Sequence, residues 1–151
     1  MATGEVDVLV QMWLSRWDQI RHSESQRATA TNMLLVLNAA GIGFIVQKGL
    51  IAGMLIVTIG ILILGAFGAL LSIKYYERFR LHLNEANAIR SRLDELIPSG
   101  SVRNLFEDAW SKQVAEHPRI HKVPLHRLWL ALHTGVSITG ASLTAVILAR
   151  L

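Results

Sequence analysis

Cysteine is absent from the 151-residue chain, which excludes disulfides, thiolate metal ligands, palmitoylation and cysteine nucleophiles. Proline occurs three times, at Pro98, Pro118 and Pro124, so none interrupts the apolar stretches on either side. Charge is missing from three long runs, 28–47 with 20 residues, 49–73 with 25 and 128–149 with 22. No acidic residue lies in any of them, and His133 is the only ionisable group well inside one. A general acid and base pair or a proton relay therefore has no candidates there, and no enzyme is expected. His133 and Ser137 are four apart but lack an orienting carboxylate in the sequence pattern. The first 27 residues lack the basic start, short apolar stretch and small-residue cleavage site of a signal peptide, so the first apolar run should act as the insertion signal.

What is present is apolar: 52% of the residues are hydrophobic, well above the usual share for a soluble domain. Each of the three runs is long enough to cross a hydrocarbon core of ~30 Å as a helix rising ~1.5 Å per residue. The predicted fold is all-α: one membrane domain over 1–151 with spans at 28–47, 50–73 and 128–149. Gln47, Lys48 and Gly49 leave room only for an antiparallel neighbour, so the first two spans form a hairpin. Of the 15 Lys and Arg, 10 lie in the loop 74–127 and three in 1–27, against Lys48 and Arg150 elsewhere. With three spans the N-terminus and the long loop share a side, and the positive-inside rule makes that side cytoplasmic and the C-terminus external. Part of the basic excess is expected to meet anionic lipid headgroups. Nucleic acid is not an expected partner, because the loop also holds seven acids and no basic run interleaved with aromatics.

Residues 5–27 have the pattern of an amphipathic helix, with Val6, Leu9, Val10, Trp13, Trp17 and Ile20 on one stripe. That stripe suits either the headgroup level of a bilayer or the protein's own helices. In the first span Asn32, Val36, Ala39 and Gly43 form a face that lets a partner approach closely, while Asn38 points elsewhere and should face another helix or water. Gly53, Gly60 and Gly68 make a close-packing face on the second span, with Gly65 and Ser72 beside them. That span should continue as one helix to 97, because residues 74–97 contain no Gly or Pro and keep a seam at Tyr76, Phe79, Leu83, Ala86, Leu93 and Ile97, interrupted by Arg90. Gly53, Gly60, Gly68, Tyr76, Phe79 and Leu83 are the expected contacts of a homo-oligomer.

Pro98, Ser99 and Gly100 should end the long helix, and Ser101 can cap another to about Glu116. Its face of Val102, Leu105, Phe106, Ala109, Trp110 and Gln113 is suited to folding back on the seam, giving a cytoplasmic helical hairpin between the second and third spans. His117, His121 and His126 do not amount to a metal site, since Pro118 and Pro124 break any helical spacing and no carboxylate completes a set. The third span begins with His126, Arg127 and Trp129 as interface anchors. It carries two small or polar faces, one of Ala131, Gly135, Thr139, Ser142 and Ala149, the other of His133, Ser137, Gly140 and Thr144. Asn38, His133, Ser137 and Thr144 are thus the candidates either for interhelical hydrogen bonds or for lining a pore. No cofactor is implied.

An amphipathic N-terminal helix, a tight hairpin with the ends RHSESQRATATNMLLVLN and KYYERFRLHLNEANAIRSRLDEL, and a long helical continuation resemble the SLATT-type small bacterial membrane proteins over 5–97. The third span departs from that two-span pattern. The resemblance implies a pore-forming or gated effector regulated by a cytoplasmic protein or small molecule. The alternative is a non-conducting scaffold or adaptor that presents a cytoplasmic docking surface around Leu83 to Trp110.

Overall fold

A computed structural model describes residues 2–97 and 102–151, and the described residues are helical, with no strand among them. Four helices follow in order: α1 Ala2–Lys48, α2 Leu55–Leu96, α3 Val102–Glu116 and α4 Leu125–Leu148. Short 3₁₀ turns at Ala52–Met54 and Ile120–Lys122 lead into α2 and α4. α1, α2 and α4 are each long and apolar enough to cross a membrane. The predicted stop at Pro98, Ser99 and Gly100 and the predicted cap at Ser101 lie outside the described residues.

Where the sequence predicts an amphipathic helix followed by a span, α1 is one helix of 47 residues. No Gly or Pro stands between residues 5 and 40, so nothing in the backbone breaks the helix as the composition turns from charged to apolar. Gly49 ends it at a φ of 77°. The Gly49 N–H donates to the Ile45 carbonyl at 2.8 Å, the single bond of a left-handed C-terminal cap that favours glycine. The second span starts later than 50, because Leu50 and Ile51 are taken by the turn and the helix proper begins at Leu55. From there α2 runs unbroken to Leu96. α4 begins at Leu125, three residues before the predicted 128, because Pro124 breaks the chain there and its fixed φ suits the residue just outside a helix.

Contacts divide the chain into two units, 1–24 with 77–124 and 25–76 with 125–151. In the first, α1 and α2 run antiparallel, tied by Arg92 to Glu5 at 3.0 Å and Arg16 to Glu85 at 3.3 Å. Their less exposed residues recur every three or four positions: Val6, Leu9, Trp13, Trp17 and Ile20 on α1, and Phe79, Leu83, Ala86, Ile89 and Leu93 on α2. This is the repeat of a short antiparallel coiled coil. Ile89 takes the seam position that the sequence assigns to Arg90, and the Arg90 guanidinium instead lies over the Phe106 ring of α3 at 5.2 Å. α3 is held there by Phe106, whose ring also meets Trp13 edge-on at 6.5 Å. Of the predicted fold-back face, Leu105, Ala109, Trp110 and Gln113 are exposed, Leu105 at 70% and Trp110 at 63%.

The second unit is a three-helix assembly of residues from α1, α2 and α4. Its apolar core, Ile45, Met54, Ile61 and Ile147, lies at the turn end, flanked by Leu50, Leu55, Val57, Val136 and Leu143. Close packing of such side chains gains many small dispersion contacts between the helices.

Candidate functional site

The polar side chains of the second unit converge along one face of α4. The Thr144 hydroxyl lies 2.9 Å from Thr58 Oγ1 on α2 and 2.8 Å from the Gly140 carbonyl of its own helix. Two helical turns back along α4, Ser137 Oγ donates to the Leu62 carbonyl at 3.1 Å. His133 Nε2 lies 3.4 Å from Thr31 Oγ1 on α1. As the contacts climb α2 from Thr58 to Gly68 they descend α4 from Thr144 to His133, so these two helices are antiparallel.

Glycines permit this approach. A Cβ at Gly65 would lie 2.5 Å from the Ser137 nitrogen, one at Gly68 would overlap the His133 ring, and one at Gly140 would meet the Leu62 backbone. Small residues at these crossings bring the backbones close enough for a hydroxyl on one helix to reach a carbonyl on the next.

The end at His133 brings Arg27, Tyr75, Tyr76, His126 and Trp129 together. His133 is 1% exposed and its Nδ1 has no hydrogen-bond partner. Around the ring lie Arg27, Thr31, Ser72, Tyr75 and Gly68, in a pocket without room for a water-sized sphere. Arg27 stands over the Trp129 ring at 5.3 Å, and Tyr76 stacks on His126 at 3.7 Å between centroids. Neither 25–76 nor 125–151 contains an Asp or Glu, so no side-chain carboxylate can orient His133 as a base or complete a metal site in this unit. Among all the described residues, no three His, Cys, Asp or Glu side chains come together.

Of the candidates from sequence, His133, Ser137 and Thr144 share one face of α4, and each touches a helix of the same chain. Asn38 is 2% exposed, but its Nδ2 donates to the Leu34 carbonyl of its own helix at 2.7 Å and its Oδ1 is buried without a partner. The Asn32, Val36, Ala39 and Gly43 face is exposed, and α1 instead turns Thr31, Leu34, Asn38 and Ile45 inward. The three glycines expected to share a packing face part company: Gly68 meets His133, while Gly53 and Gly60 face open space. Phe79 and Leu83 are half-buried along the intrachain seam of the first unit. Thr58 was not singled out in the sequence. Thr58 could have been found by extending the three-four repeat of α2 backward, since Met54, Thr58, Ile61, Gly65, Gly68 and Ser72 are its least exposed line.

In the first unit the charged groups pair off. Glu85 Oε2 meets both Arg16 and the Nδ1 of His82, the latter at 3.1 Å, and Arg92 bridges Glu5 and Glu95. Trp13 and Trp17 meet edge-on at 5.9 Å. Among the apolar side chains this unit leaves outward are Leu105 and Trp110 of α3, with Phe106 part-exposed, and Val8, Met12, Leu14 and Leu81.

No protein-family model, curated protein or solved structure matches the chain.

Proposed function

We propose that the chain is a multi-pass membrane scaffold without enzymatic activity. In this reading the unit 25–76 with 125–151 is the anchor, and the unit 1–24 with 77–124 is a cytoplasmic helical module that offers the α3 face to a protein partner. The observation that carries it is the fate of the polar groups in the spans. His133, Ser137 and Thr144, the residues best placed to line a conducting path, are spent on contacts with Thr31, Leu62 and Thr58 of the same chain. Buried polar groups in a membrane need a protein partner or water, and Ser137, Thr144 and the Nε2 of His133 have protein. Self-association in a bacterial inner membrane would then use the open glycines Gly53 and Gly60.

A second reading, the pore or gated effector implied by the resemblance to SLATT-type proteins, has one observation in its favour. The other small face of α4, with Gly135, Thr139 and Ser142, is exposed and free to line a path between copies. Purified protein in liposomes distinguishes the two: a scaffold leaves a trapped small-ion dye in place, whereas a pore releases it. Thr139→Leu or Ser142→Leu should block release if copies enclose that face. Release at rates set by protein dose would overturn the scaffold reading.

A further inference from the structure

His133 stands where a histidine costs stability. Its ring is 1% exposed and wedged against α2, where a Cβ at Gly68 would overlap it first at Nδ1. That nitrogen has no hydrogen-bond partner. The Gly68 carbonyl does not serve it, because it accepts the Ser72 hydroxyl at 2.9 Å beside the bond of its own helix, and a carbonyl has two lone pairs. The other ring nitrogen, Nε2, meets Thr31 Oγ1 of α1 at 3.4 Å. A leucine would fill the same slot without leaving a buried polar atom unpaired.

The neutral ring can stay there. Its Nε2 exchanges one hydrogen bond with the Thr31 hydroxyl, and the bare Nδ1 is a modest penalty. The charged ring cannot. Protonation adds an N–H that finds no acceptor at Nδ1, together with a full charge in a pocket with no room for water. The charged and titratable groups that face the ring from the helices packed on it are Arg27 of α1 and Tyr75 of α2, with no carboxylate among them. Nor does the unit 25–76 with 125–151 hold an Asp or Glu that could move in as a counter-ion.

We propose that His133 is a pH-sensitive latch: while neutral it holds the first half of α4 against α1 and α2, and in acid it takes up a proton and releases that end. The turn end, where Ile45, Met54, Ile61 and Ile147 pack, stays closed. The released state binds one proton more than the packed one, so each pH unit below the histidine range favours release by up to about tenfold. The latch goes beyond the scaffold reading and does not depend on it.

The test uses the full chain in neutral detergent with pairs of spin labels on added cysteines, since the chain has none of its own. Leu70→Cys with Thr134→Cys spans the latch end from exposed positions of α2 and α4, and Ile56→Cys with Leu148→Cys spans the turn end. Between pH 8 and pH 5 the distance across the latch end should lengthen reversibly while the turn end keeps its distance. H133Q should hold the pH 8 distance at pH 5, whereas H126Q, which removes the other histidine of the unit, should respond as the parent does. The latch is overturned by a parent distance that does not change, by an H133Q chain that still opens in acid, by an H126Q chain that no longer does, or by both ends opening together. Should H133Q fail to pack at pH 8, ring NMR of the parent decides. The His133 signal must pass from neutral to charged at the pH where the distance lengthens, and a ring that charges with the distance unchanged, or stays neutral while it lengthens, refutes the proposal.

Discussion

At the scale of single residues, glycine positions separate packing within the chain from packing between chains. Gly65, Gly68 and Gly140 have α4 or α2 atoms where a Cβ would stand, and Gly53 and Gly60 have nothing. Gly68→Ala should therefore destabilise the three-helix unit by about 1 to 3 kcal/mol of overpacking, while Gly60→Ala should leave the monomer's thermal midpoint unchanged. Gly60→Leu should act only on the size of the detergent complex. Equal loss of stability from both alanine variants would contradict the assignment. The composition of the sequence shows that small residues cluster on the second span, but not which of them meet the chain's own third span, because that depends on a rotation of about 100° per residue that helical spacing leaves free. The hydroxyls behave likewise. Thr144→Val, which keeps the shape and removes the contact with Thr58, should cost about 0.5 to 1 kcal/mol, the usual worth of an interhelical hydrogen bond in a membrane. A steady-state unfolding curve in mixed detergent would read it.

At the scale of elements, the periodicity of the sequence was most informative where helices are longest. The unbroken passage of α2 from apolar to charged composition follows from the absence of Gly and Pro between residues 69 and 97. The same absence applies to α1, where the change in composition suggested two elements and the backbone made one. Composition marks what a helix is immersed in, whereas only breakers mark where it ends. α3 shows the reverse difficulty: its apolar face is legible, but how much of it is covered is not. Phe106 joins Trp13 and Arg90, while Trp110 and Leu105 stay outside. Phe106→Ala should thus remove an edge-on aromatic contact and a cation–π contact, together about 1 to 2.5 kcal/mol, and free α3 from its neighbours. Hydrogen exchange should rise across 102–116 and remain unchanged in 125–148. Protection of α3 that survives the substitution would mean that other residues hold it.

At the scale of the whole molecule, the distribution of charge matters more than its sum. The three apolar runs are visible in the sequence and correspond to three helices long enough to cross a membrane, so an odd number of crossings would leave the two termini on opposite sides. Which side is which rests on the basic residues, three in 1–27 and ten in 74–127, against Lys48 and Arg150. The absence of cysteine makes this testable without further substitutions. Ser111 is exposed on α3 and Lys48 is exposed at the end of α1, so a single Ser111→Cys or Lys48→Cys change should place a reactive thiol on each side. In intact cells an impermeant maleimide should label Lys48→Cys and spare Ser111→Cys until the membrane is opened. Labelling of Ser111→Cys with Lys48→Cys protected would invert the orientation and move the α3 face, and with it the proposed partner, to the outside. Labelling of both in intact cells would mean that α2, the one apolar helix between them, does not cross the bilayer. Since α2 is buried along Thr58, Ile61, Gly65, Gly68 and Ser72 and its apolar half is otherwise largely exposed, an α2 outside the bilayer would leave Ile56, Ile59, Ile63, Phe67, Leu70 and Ile73 in water. That exposure is what a lipid-facing helix requires and what a soluble one avoids, so the expected pattern is the asymmetric one.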